Sequence, residues 1–186
     1  VLGAQSLDMF AVLFGGATSL LPAFVNDLFH AGPEGLGLLR AAPAVGSLAT
    51  ALFLARHPLQ EDNGRWLLAA VAGFGLCIIA FALSPWFWAA ALFLLLSGVC
   101  DGVSVVTRTT IIQLATPDGI RGRVAAINGL FIGSSNELGA FESGVAARLL
   151  GLVPSVLFGG AMTLAVVAST AVLAPKLRNL ELRHLE

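Results

Sequence analysis

Residues 86–115, WFWAAALFLLLSGVCDGVSVVTRTTIIQLA, decide the fold. The stretch begins as an unbroken apolar run and then places Ser97, Asp101, Ser104 and Arg108 at steps of four, three and four residues. A 3.6-residue period puts all four on one narrow face of a helix long enough to cross a bilayer. An ionisable side chain near the bilayer centre costs about 2.5–3.5 kcal/mol on insertion scales, so two on one stripe face inward, toward a hydrated path or a buried polar contact.

The composition fits that reading. Hydrophobic residues make up 57% and charged residues 11% of the 186 positions, against roughly 25% charged in a soluble domain, and the mean hydropathy is +0.89. The chain therefore reads as an integral membrane protein of all-α class. A formal net charge of -1 gives no footprint for nucleic acid. Cys77 and Cys100 lie inside apolar runs and read as small hydrophobes. His30, His57 and His184 have no ligand spacing, so neither a metal nor a cofactor is expected. The first seven residues, VLGAQSL, lack the basic region of a signal peptide, and the start reads as a cut within a longer chain.

Six apolar runs of spanning length follow, at about 4–25, 35–56, 66–83, 87–113, 124–148 and 154–174. They predict a six-helix transmembrane bundle over 1–175 and a tail over 176–186. Pro33, Pro85, Pro117 and Pro154 stand at or near helix starts, where the missing N–H costs nothing. Ser84 and Asp118 are expected caps, and Pro22 and Pro43 are expected kinks. Arg56, Arg65, Arg121, Arg123, Lys176, Arg178 and Arg183 all fall on one side of the predicted bundle. The positive-inside rule makes that side cytoplasmic, with both ends of the segment inside and Trp86 and Trp88 as an outer anchor.

PEGLGLLRAA from Pro33 aligns with PDGIRGRVAA from Pro117 at an offset of 84 residues. Each opens the second helix of a three-helix set, which predicts two inverted repeats. The third and sixth helices carry no charge and are expected to face lipid. Asp8, Arg40, Asp101, Arg108, Glu137 and Glu142 lie on the other four.

Asp101 falls near mid-membrane, where it serves either proton coupling or a substrate cation, or else is a structural carboxylate bonded to a neighbouring helix. Arg108 lies roughly 10 Å farther along the axis at 1.5 Å per residue, and Asp8 at similar depth is its expected partner. Arg40 is expected to pair with Glu142, with the other half of a transporter, or with Asp101, or to snorkel outward. On the fifth helix, Gly129, Gly133, Ala140 and Gly144 form a small-residue arc expected to pack closely, with Glu137 at its edge as a packed carboxylate. Asn128, Ser135 and Glu142 form a second arc expected to meet a cavity or a partner. Gly98 and Gly102 mark a close-packing site on the fourth helix. Asp118, Arg121 and Arg123 are either a charge latch at a cytoplasmic gate or ordinary topogenic charges with a helix cap. No catalytic constellation is visible.

At LLPAFVNDLFHAGPEGLGLLRAAPAVGS, DGVSVVTRTTIIQLATPDGIRGRV and IGSSNELGAFESG the sequence resembles the carboxyl-terminal six-helix half of a major facilitator superfamily transporter, in the drug and siderophore efflux branch. The Pro117-Asp118-x-x-Arg121-Gly122-Arg123-Val124 loop is the most specific element. One departure is the loop ARHPLQEDNGRW, where only Gly64 and Arg65 match the family's glycine- and arginine-rich pattern.

The resemblance implies half of a secondary active exporter of a small amphiphilic molecule, proton-coupled and working by alternating access in the inner cell membrane. Its first and fourth helices would line the cavity. Its partners would be the lipid bilayer, an amino-terminal six-helix half or a second copy, the substrate and protons. The alternative is a membrane scaffold whose intramembrane charges only hold helices together.

Overall fold

The computed structural model describes residues 16–57, 63–114 and 116–173, and no strand occurs among them. The first described segment, α1 over residues 16–29, changes winding twice: Gly16–Leu20 is 3-10, Leu21–Ala23 an α turn and Phe24–Phe29 a π turn. Pro22 sits where the first change occurs, because it supplies no N–H to an i→i−4 ladder. The segment ends on His30 in the left-handed conformation (φ 49°, ψ 32°), and its Nδ1 lies 2.9 Å from the Asn26 carbonyl oxygen.

Five long helices follow: α2 (Pro33–Arg56), α3 (Asn63–Leu83), α4 (Phe87–Leu114), α5 (Arg121–Leu150) and α6 (Leu152–Leu173). Pro33 opens α2 as expected, and Pro43 lies inside it. The expected caps differ. Ser84 donates its hydroxyl to the Trp86 carbonyl (3.2 Å), bracing the α3–α4 turn. A 3-10 turn, Asp118–Ile120, precedes α5, whose N-cap residue Ile120 makes no side-chain cap bond. Gly151 (φ 95°) turns the chain from α5 into α6 through a conformation that L side chains rarely adopt.

Helices α2, α3, α4 and α6 include stretches long and apolar enough to span a membrane. The first expected span lies partly outside the described residues. At 30 residues α5 has the length, but its glycine, serine, asparagine and charged residues make it less apolar than those four.

The main packing pairs are α2 with α4, α3 with α4 and α3 with α6, whereas α5 leans on α6 and on residues 16–20. One core joins Leu21 and Phe24 of α1, Leu39 of α2, Phe81 of α3 and Leu94 of α4, all with no exposed surface. Phe24 and Phe81 rings sit 4.8 Å apart, and Phe29 meets Phe87 edge-on at 5.9 Å. A second cluster sets Leu67, Leu68 and Val71 of α3 against Val166, Val167 and Ala171 of α6. Beyond Arg65 the uncharged run of α3 is the most buried of the four spans, wedged between α4 and α6.

Candidate functional site

The polar stripe of α4 turns into the bundle. Ser97, Ser104 and Arg108 are 2%, 2% and 4% exposed, and Thr107, which the stripe arithmetic omits, joins them as a buried residue. Asp101 is half-buried among them. Ser97 donates its hydroxyl to the Leu94 carbonyl (2.7 Å), so its own helix satisfies the proton and leaves the oxygen lone pairs available. The Ser104 and Thr107 hydroxyls have no hydrogen-bond partner among the described residues.

Glycines let α4 and α2 approach so closely. A Cβ built on Gly98 would fall on the Pro43 backbone, and one on Gly102 would lie 2.9 Å from Thr50 Cβ and 3.0 Å from the Ser47 carbonyl oxygen. Gly46 answers from α2, against the backbone of Leu95 and Val99. Thr50 ties the seam with one hydroxyl placed 3.1 Å from the Gly46 carbonyl and 3.2 Å from the Val99 carbonyl. Gly98 and Gly102 therefore do form the close-packing site that their spacing predicts.

Beside this seam lies a cavity of about 320 Å³. Its wall takes Ser97, Gly98 and Asp101 from α4, Pro43 from α2, Phe74 and Ile78 from α3, Thr18 and Ser19 from α1, and Asn136 and Ala140 from α5. One carboxylate, three hydroxyls and one carboxamide thus face an aromatic ring and aliphatic surface. That mixture suits an amphiphilic solute, and the volume sits at the low end of small-molecule sites, roughly 300–1,000 Å³. Thr18, Ser19 and Asn136 were not singled out from the sequence. Asn136 stands one turn from Ala140, and that spacing was the available signal.

The other predicted residues are placed as follows. Arg40 is exposed on α2 and Glu142 half-buried on α5, two helices without extensive mutual contact, and no ion pair joins them among the described residues. Asn128 is half-buried and Ser135 buried. Glu137 is exposed rather than packed. The small-residue arc is likewise corrected: a Cβ at Gly129, Gly133 or Gly144 would meet nothing within 4 Å. The buried line of α5 runs instead through Ser135, Gly139 and Ser143, again with a four-residue step, because α6 and residues 16–20 lie on that side. Arg121 and Arg123 are exposed, and Arg121 Nη2 donates to the carbonyls of Gln113 (3.2 Å) and Thr116 (3.4 Å) at the end of α4. Asp8 and the side chain of Asp118 lie outside the described residues.

The cysteines depart from their reading as separate small hydrophobes. Cys77 of α3 and Cys100 of α4 are both free and half-buried, and they are neighbours where the two helices pack. Among the described residues no cluster of three or more His, Cys, Asp or Glu side chains could hold a metal.

In comparison with known proteins, residues 5–186 match the family described as transmembrane secretion effector. No curated protein and no solved structure gives a significant match. With nearly its whole length matched, the chain belongs to the transmembrane secretion effector family of major facilitator transporters.

Proposed function

We propose that the chain forms the carboxyl-terminal half of a proton-coupled exporter that moves a small amphiphilic molecule, a drug or a siderophore, out of the cell by alternating access. The observation that carries this reading is the cavity beside the α2–α4 seam, with Asp101 as the ionisable group on its wall. In this reading the segment spans the inner membrane six times as two inverted three-helix repeats, with both ends cytoplasmic. An amino-terminal half or a second copy completes the transport path.

Asp101 exchanges a proton or a substrate cation, and Ser97 with Asn136 orients the solute's polar end against Phe74. Farther along the buried stripe, Arg108 braces the cytoplasmic end by pairing with Asp8. Ser104 lies between the two charges and gives that stretch a polar lining. On the flanking helices, Arg40, Asn128, Ser135, Glu137 and Glu142 contribute to the interface with the other half or to the cavity rim. At the cytoplasmic loop, Asp118, Arg121 and Arg123 act as a latch that opens with the inner gate.

The test is Asp101→Asn in the intact transporter, with export driven by an imposed proton gradient. Loss of gradient-driven export at unchanged protein level and thermal midpoint is the expected result. Unchanged export, or loss through failure to fold, would instead favour a scaffold role for the intramembrane charges.

A further inference from the structure

Cys77 and Cys100 are the only cysteines in the chain, lie on different helices, and come together where α3 and α4 pack. Three local features bring this about. Gly73, one turn before Cys77, offers no side chain, and a Cβ built there would lie 2.9 Å from Cys100 Sγ. The thiol of Cys100 thus lies in the notch that Gly73 leaves. A helical side chain leans toward its own N-terminus. Because α3 and α4 are consecutive helices joined by a tight turn, they run antiparallel, so Cys77 leans back toward Gly73 while Cys100 leans toward the α3–α4 turn and hence toward Cys77. The two thiols are therefore neighbours across the α3–α4 contact, and both side chains keep partial exposure, which admits a small reagent.

We propose that Cys77 and Cys100 form a reversible disulfide that fastens α3 to α4 at the cavity wall, with a small uncharged peroxide as the oxidant. The chemistry balances in two steps. One thiol sulfur attacks a peroxide oxygen, the O–O bond breaks, and water leaves behind a sulfenic acid. The facing thiol then attacks that sulfur, forms the S–S bond and releases a second water. Two thiols are oxidised by two electrons and one peroxide is reduced, and a dithiol reductant reverses the change. Convergence of side chains from two packed elements is what a disulfide needs and what separation in sequence conceals.

The position gives the bond a consequence. Cys100 immediately precedes Asp101, and Cys77 lies between Phe74 and Ile78, all three of these neighbours being on the cavity wall. Oxidation would hold the two wall turns in fixed register, and reduction would release them.

The experiment uses the full chain in its own membrane, exposed to dilute hydrogen peroxide, quenched, denatured and reacted with a polymer-tagged maleimide that counts free thiols by gel shift. The expected result is concerted loss of both thiols in a chain that stays monomeric without reductant, with full recovery after dithiothreitol. The facing thiol acts in the second step, so Cys77→Ala and Cys100→Ala should accumulate a sulfenic acid that a dimedone probe traps, where the wild-type chain resolves it into the disulfide. Gly73→Ala keeps both cysteines but crowds the Cys100 sulfur, and should slow the concerted loss. The proposal is overturned if the wild-type chain keeps two reactive thiols, if its thiols disappear only into covalent dimers, or if it traps as much sulfenic acid as the single-cysteine variants. None of these readings depends on transport.

Discussion

Pro43 of α2 and Gly98 of α4 meet backbone to backbone: a Cβ added at Gly98 would lie 2.6 Å from both the Cα and the carbonyl carbon of Pro43. Neither of those atoms can rotate away, so the clash can be relieved only by parting the helices. Overpacking of this kind costs about 1–3 kcal/mol. Gly98→Ala and Gly46→Ala should therefore lower the thermal midpoint of the detergent-solubilised chain. Gly129→Ala and Gly133→Ala, which meet nothing within 4 Å, should be neutral or raise it, since alanine favours a helix over glycine by up to about 1 kcal/mol. Equal losses at all four sites would contradict the seam.

Thr50 places one hydroxyl between two carbonyls, one on its own helix and one across the seam on Val99. Thr50→Val keeps the shape and removes the donor, at an expected cost of about 0.5–1.5 kcal/mol. Thr50→Ser should recover most of that loss. Chemical or thermal denaturation of the pair of variants checks both statements.

Asn136 supplies the carboxamide of the cavity wall. Asn136→Leu fills space and deletes its polar group, so export should fall while protein level and melting stay near wild type. Asn136→Gln, which keeps the amide, should retain part of the activity or shift the range of exported solutes. Dye or substrate efflux from energised cells, normalised to protein in the membrane, measures the difference.

Arg108 is 4% exposed within the helical bundle. Deleting one member of a buried ion pair costs about 3–5 kcal/mol because the other charge is stranded. On the proposed pairing with Asp8, Asp8→Asn and Arg108→Gln should each be strongly destabilising, and their combination should cost clearly less than the sum. Additive losses would remove Asp8 as the partner, and the double-mutant cycle is the measurement that decides it.

What could be read from the sequence follows a physical division. The stripe of α4 was legible because a charge in an apolar helix must face inward and the helical period says which residues share its face. Gly98 and Gly102 were legible for the same reason: they flank Asp101 on the side that must approach a neighbour. On α5 the period gave one small-residue arc and one polar arc. The arc through Gly129 and Gly133 meets no neighbour, while Ser135 of the polar arc is buried together with Gly139, because that choice belongs to the helix alongside, which local sequence does not encode. The π turn at Phe24–Phe29 left no periodic trace, since Asn26 and Asp27 end the apolar run before the aromatic contacts of Phe29 begin. Asn136 looked like one more polar residue on a polar helix until α1 and α3 supplied the rest of the wall. Cys77 and Cys100 stand on separate helices, and only the α3–α4 packing brings them together.

The glycine seam has a mechanical meaning as well. Side-chain contacts between helices can slide by changing rotamers, but contacts between main chains have no such slack, so α2 and α4 turn together as one plank. Arg121 grips the carboxyl-terminal end of α4 through the carbonyls of Gln113 and Thr116, and Pro43 and Gly98 form part of the cavity wall along the plank's length. A tilt imposed on the loop between α4 and α5 would thereby arrive at the cavity as leverage, delivered through the main chain.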